Sequence, residues 1–229
     1  MKSRAVRTVA LVGAATIALV AFVAGSASAT SAATIVAHST NNTVSGPLVV
    51  GIGDSILMGH GLDPDEAWLA ILAKSNGWRL TNLASDGSGF VTAGDNNDTF
   101  ADQVTAAESL HPDVIVISGS SNDLGTTDAQ LASATTATIE QLHAALPNTK
   151  IIAISSVWGD TALPAQLKTI TADVAAAVTA VGGTYLQIHQ PLAGKANLMQ
   201  SDDVHPTATG QSVLASAVQR SIARNGVAV

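Results

Sequence analysis

The stretch VVGIGDSILMG, Val49 to Gly59, is an apolar run that stops at Gly53-Asp54-Ser55 and then passes into a short segment bounded by glycine. Gly and Asp suit the turn that ends a strand. A serine at such a turn is also where a strand would present a nucleophile. The remainder of the chain has to decide between these readings.

Working outward, PLVVGIG from Pro47 reads as a strand by its short β-branched apolar run. DPDEAWLAILAKSNG reads as one helix, with Asp63 as cap, Pro64 in the first turn, Glu66 completing a capping box and Gly77 as the stop. The alternation continues with the strand WRLTNLA, the polar Gly-rich loop SDGSGFVTAGDNNDT, the helix FADQVTAAESL and the strand PDVIVISG. A helix from Thr127, the strand KIIAISSVW, a helix ended by Gly182-Gly183, the strand TYLQIHQ and a final helix after Pro206 complete the order. Five continuously apolar strands alternating with helices predict an α/β fold, with a parallel sheet buried between helical layers. Ligand sites in such sheets lie beyond the carboxyl ends of the strands. There the chain offers GDS, NLASDG, GSSND and, before the last helix, SDDVH.

The chain's 229 residues open with Lys2, Arg4 and Arg7, an apolar run from Thr8 to Ala24, and the small residues GSASA. That order reads as a secretory signal peptide over residues 1–29, cleaved after Ala29, and predicts a secreted, extracellular protein. The apolar run is shorter than the ~20 residues of a spanning helix, so no stable membrane insertion is expected once the signal is removed. Residues 30–46, rich in Ser, Thr, Ala and Asn, read as a flexible lead-in, and residues 47–229 as one domain. The chain carries 10 Lys+Arg against 17 Asp+Glu. Without the three basic residues of the signal, seven remain against 17, a net of −10. An acidic protein is a poor partner for nucleic acid. The absence of cysteine excludes disulfides, a thiolate nucleophile and thiolate metal sites.

A serine hydroxyl is a weak nucleophile until a base takes its proton, and histidine is the natural base. His205 lies in SDDVHP, with Asp202 three residues upstream and placed to orient the imidazole from the side away from serine. Asp203 competes for that role, but a two-residue reach suits a tight turn less well. An oxyanion needs donors. The N–H groups of Ser55 and Gly87 are available backbone candidates, and Asn122 offers a side-chain N–H.

These segments, GDSI at 53–56, NLASDG ending in Gly87, GSSND at 119–123 and DDVHP at 202–206, resemble the SGNH (GDSL) hydrolase superfamily and occur in its order. The resemblance implies a flavodoxin-like three-layer α/β/α fold with a five-stranded parallel sheet. It implies Ser55 as nucleophile, Asp202 and His205 as the acid–base pair, Ser55, Gly87 and Asn122 as oxyanion donors, and no metal or organic cofactor. Two departures are visible. Ile56 replaces the family's usual Leu. Ser120 and Ser121 both stand between Gly119 and Asn122, where the family has one residue, so either Ser120 takes the glycine's place or the turn is one residue longer.

The expected activity is therefore that of a secreted serine esterase or lipase acting on short acyl esters. A small molecule, a lipid or an acylated polysaccharide would supply the ester. A carbohydrate O-acetylesterase and a catalytically silent wall-binding module are the alternatives. No G-x-S-x-G elbow is present. Asp54 reads as a helix cap, His60 as an exposed loop histidine rather than an alternative base, and Asp86 as a solvated loop carboxylate. Asp95 and Asp98 lack the Glu-terminated spacing of a calcium loop, and no HxxxH pair suggests a catalytic metal. Trp158, after the fourth strand, is either a substrate-lining aromatic or a side chain packed against a helix. Trp68 and Trp78 read as core.

Overall fold

A computed structural model describes residues 45–229 and the backbone of His38–Ser39. The segment read as a signal peptide, and most of the lead-in, lie outside the described residues. Among the described residues six strands, β1 (His38–Ser39), β2 (Leu48–Ile52), β3 (Arg79–Asn82), β4 (Val114–Ser118), β5 (Lys150–Ile154) and β6 (Thr184–Leu186), form one sheet in the order β1-β3-β2-β4-β5-β6. The five strands from β2 to β6 are parallel. β1 adds an antiparallel edge, pairing His38 with Asn82 and Ser39 with Thr81, which the reading of the lead-in as flexible did not anticipate.

Among the described residues six α-helices accompany the sheet: α1 (Ser55–Met58), α2 (Trp68–Asn76), α3 (Phe100–Glu108), α4 (Asp128–Ala145), α5 (Ala165–Ala180) and α6 (Ala208–Arg224). Successive strand residues face opposite sides of a sheet, and two cores result. Val49, Val114, Val116, Ile152 and Ile154 pack with α2, which carries the buried Trp68, with α6, and with the buried Trp78 just beyond α2. Val50, Ile52, Ile115, Ile117 and Ile151 pack with α3, α4 and α5. Burial on both faces explains why these strands lack polar alternation. Among the described residues no helix is long and apolar enough to cross a membrane.

The helix expected over residues 63–77 is two elements. Pro64–Glu66 is a 3-10 turn, and Ala67 is extended, with ψ of 140°, before α2 begins. The Glu66 carboxylate accepts from the Asp63 N–H at 3.1 Å, as a capping box requires. The break survives because the N–H of Trp68 is taken by Gln211 Oε1 at 3.0 Å, a partner 143 positions away that local spacing cannot reveal.

Candidate active site

The carboxyl rim of the sheet gathers the segments singled out in the sequence. β2 runs directly into α1, so Ser55 is the first helical residue. Asp54 caps α1 by accepting from the Ile56 N–H at 3.0 Å. Around this point the chain is held by buried polar groups from distant segments. Gln103, fully buried, accepts from the Gly53 N–H at 2.9 Å and donates to the Gly53 carbonyl at 3.1 Å. Gln211 donates to the Ile56 carbonyl at 3.0 Å, and Asn82 to that of Leu57 at 3.1 Å.

His205 arrives from the other direction, on the turn between a 3-10 turn at Ala196–Leu198 and α6. Its Nε2 lies 3.0 Å from Ser55 Oγ across 150 positions of sequence. Its Nδ1 lies 2.7 Å from Asp202 Oδ2. An ionised carboxylate only accepts, so Nδ1 carries the hydrogen and Nε2 presents its lone pair to the serine. Asp202 Oδ1 accepts from the Val204 and His205 N–H groups, each at 3.0 Å. Hydrogen bonds from the His205 backbone, the His205 ring and the Val204 backbone hold the Asp202 carboxyl well below the usual carboxylate range. Of the two competing orienters, it is Asp202 that meets the ring. Asp203 sits beside it at φ 57°, its N–H bonded to the Gln200 carbonyl at 3.1 Å.

The candidate oxyanion donors lie on the flanking loops. Among the described residues, no acceptor is hydrogen-bonded to the N–H of Ser55 or of Gly87. Gly87 has φ of +75°, a region open to glycine without steric penalty. Asn122 Nδ2 donates one hydrogen to the Ser88 carbonyl at 3.0 Å, leaving its second free. The doubled serine is also accounted for. Ser120 caps the 3-10 turn Ser121–Asp123 by accepting from the Asn122 N–H at 3.1 Å, and donates to Asp54 Oδ2 at 2.7 Å. Gly119 is needed one step earlier, where a Cβ would approach Ser156 Oγ to 2.4 Å and Ile170 to 2.7 Å. Burial pushes the Asp54 carboxyl up, opposed by the bonds from Ser120 and Ile56.

Some residues important to this architecture escaped the sequence reading. Asp123, fully buried, accepts from the N–H groups of Phe90, Val91 and Thr92 at 2.7, 3.0 and 2.9 Å, fixing the loop beyond Gly87. It stood inside the quoted GSSND block, but nothing local distinguished it from a surface turn residue. His60 and Asp86 also depart from expectation. His60 Nδ1 lies 2.7 Å from Asp86 Oδ2, and the His60 ring stacks on that of His205 with centroids 4.1 Å apart and planes 27° apart. Trp158 is half-buried against the α3–α5 core, with its indole N–H bonded to Thr161 Oγ1 at 3.0 Å. The next residue, Gly159, abuts Met199 and the Asp203 carbonyl, so this loop adjoins the His205 turn.

Donor atoms of His60, Asp202 and His205 lie within 4.8 Å of one another, a grouping that distance alone would allow to hold an ion. Both ring Nδ1 atoms already meet carboxylates, however, and His205 Nε2 meets Ser55 Oγ. Chemically the arrangement is better suited to moving a proton between a hydroxyl and an imidazole.

A serine, an imidazole and a carboxylate in hydrogen-bonded series at the rim of a three-layer α/β/α sheet describe an ester-hydrolase class of site. The profile of the GDSL-like Lipase/Acylhydrolase family matches residues 52–213, and the chain belongs to that family. No match was found among curated protein sequences. Solved structures with this fold include the psychrotrophic esterase EstA from Pseudoalteromonas sp., inhibited by monoethylphosphonate. It is 20% identical, with a TM-score of 0.63 and coverage of 78% of this chain and 97% of that one. A carbohydrate esterase family 2 enzyme from Corynascus thermopiles (Myceliophthora fergusii) is 18% identical, with a TM-score of 0.62, covering 82% of this chain and 69% of that one. The lipase/acylhydrolase from Enterococcus faecalis is 16% identical, with a TM-score of 0.58, covering 78% of this chain and 96% of that one. At these identities the likeness is one of fold.

Proposed function

We propose that this chain is a secreted serine esterase that hydrolyses short-chain carboxylic esters through an acyl-enzyme. Ser55 Oγ attacks the ester carbonyl while His205 Nε2 takes its proton, and Asp202 stabilises the resulting imidazolium. The tetrahedral oxyanion is received by the N–H groups of Ser55 and Gly87 and by Asn122 Nδ2. Collapse breaks the ester C–O bond as His205 returns the proton to the leaving alcohol. Water, deprotonated by the same ring, then releases the acid. The observation that carries this reading is the series Ser55–His205–Asp202 at 3.0 and 2.7 Å.

Export is supported by the basic start, the apolar run and Ala27-Ser28-Ala29. A preference for short acyl groups is supported by the use of the long described helices, which are all spent covering the two faces of the sheet. A role for Trp158 in lining the acyl or alcohol side is supported by the approach of the next residue, Gly159, to the His205 turn.

The test is the mature protein on nitrophenyl acetate, butyrate and octanoate beside Ser55→Ala, with a fluorophosphonate as covalent probe. Hydrolysis declining with chain length, lost in the variant, and a single adduct on Ser55 by mass spectrometry are the expected results. Equal turnover in both proteins would remove the reading. Acetate release from acetylated xylan, with no activity on butyrate, would narrow the substrate to a carbohydrate ester.

A further inference from the structure

We infer that His60 is a positioning residue for His205, and that Asp86 fixes it in that role; the inference rests on the esterase reading above. Three contacts hold the His60 segment at the rim. Its ring Nδ1 meets Asp86 Oδ2 at 2.7 Å, its carbonyl accepts from Gln200 Nε2 at 2.8 Å, and its ring stacks on His205. Gln200 also donates to the Pro206 carbonyl at 3.0 Å, and its N–H bonds the His205 carbonyl at 2.7 Å. One side chain thus ties the His60 segment to the turn that carries the base. Asp86 Oδ1 is buried without a hydrogen-bond partner, so among the described residues the side-chain bonding of this carboxylate is directed wholly at His60.

The pair repeats the His205–Asp202 couple, but without a serine at its far end. An ionised carboxylate only accepts, so His60 Nδ1 carries the hydrogen and the ring's orientation against its neighbour is fixed. When His205 takes the serine proton it becomes a cation stacked on the face of that ring. The face of a Trp, Tyr or Phe ring stabilises such a cation by a factor of roughly 3 to 30, and here the His60 ring occupies that position. The stack also limits rotation of the His205 ring about its own axis, which Asp202 restrains from only one edge. Asp86 precedes Gly87 directly in sequence, so the same bond couples the base to the loop that offers an oxyanion donor.

The experiment compares His60→Ala, His60→Phe, His60→Lys and Asp86→Asn with the parent and with Ser55→Ala. Steady-state kinetics on nitrophenyl acetate, thermal melts and imidazole nitrogen NMR are recorded for each. His60→Ala should lower kcat about ten-fold with KM within about two-fold, and broaden the His205 ring signals. His60→Phe should recover most of kcat, because the ring is restored without the Asp86 bond. His60→Lys should fall below His60→Ala, since a fixed positive charge opposes formation of the imidazolium. Asp86→Asn should give a smaller loss with the stack retained.

A kcat for His60→Ala within two-fold of the parent would overturn the inference. So would His60→Phe equal to His60→Ala when both melt like the parent. If His60→Ala does not fold, the Phe and Lys pair decides: equal kcat in the two overturns it. Activity surviving in Ser55→Ala would instead overturn the esterase reading itself, whatever the His60 variants do.

Discussion

The two halves of the candidate site are built in opposite ways. On the Ser55 side, the end of β2 and the start of α1 are buried. Gln103, Ser88, Gln211 and Asn82, all distant in sequence, hold the backbone carbonyls of Gly53, Ile56 and Leu57. On the His205 side, residues Asp202 to Val204 are exposed. The Asp202 carboxylate makes its bonds within three residues of itself. The serine's position is therefore a property of the whole fold, whereas the base is bonded within one turn and meets a single ring, that of His60, from outside it. Damage to the first should appear as lost stability, and damage to the second as lost rate.

The comparison breaks most clearly at the serine itself. Ser55→Ala removes only the hydroxyl, and kcat should fall by about 10⁴-fold or more with the melting temperature little changed. On the other side, Asp202→Asn should lower kcat by about 10²- to 10⁴-fold, again without unfolding, because an exposed carboxylate contributes little to stability. A variant that instead melts far earlier would show that the turn depends on the rest of the fold after all. The Asp202 carboxyl also sharpens the contrast with pH. Its depressed value contributes stability above about pH 4, lost as pH falls through the lower folded value. Carbon NMR of that carboxyl should show it ionised across the activity range.

Asp123→Ala should give the reverse pattern. It strands three N–H groups and should cost about 3 kcal/mol or more, or about 6–12 °C in Tm. Smaller still is the effect of Asp54→Asn. Asn keeps the cap. The raised folded value of Asp54 means that the native state holds its proton longer than the unfolded chain. In the parent, that residue's contribution makes stability fall as pH rises from about 4 through the raised value. Urea unfolding across pH 4 to 7 should be flatter in the variant. Asp203→Asn, which tolerates the left-handed backbone and bonds neither ring nitrogen of His205, should leave kcat within about two-fold.

The same contrast explains what the sequence disclosed. Asp202 and His205 are three apart, so their pairing is encoded locally, and the apolar run ending in Gly53-Asp54-Ser55 announces a strand delivering a serine. The alternating order of strands and helices suffices for the parallel layered sheet. Gly87 and Asn122 were legible as candidate donors in the polar segments that follow two strands, and the resemblance to the family implied the same roles. Gln103, Gln211 and Asp123 stayed hidden because they resemble surface residues until partners 31 to 155 positions away are supplied. His60 and Asp86 were misjudged for the same reason, lying 26 positions apart on two Gly-rich loops. The break at Ala67 depends on Gln211 and is equally invisible to local pattern.

The pairing of β2 with β4, in the register Ile52 opposite Ile117, carries a consequence for how such a site can diversify. Ser55 and Asn122 issue from neighbouring strands, and neighbouring strands stand about 4.8 Å apart in any sheet. Divergent descendants cannot widen that gap to welcome a bulkier acid without unzipping a ladder. New appetites would have to be written into the peripheral segments around residues 93–97 and 159–163, where insertion leaves the ladder untouched.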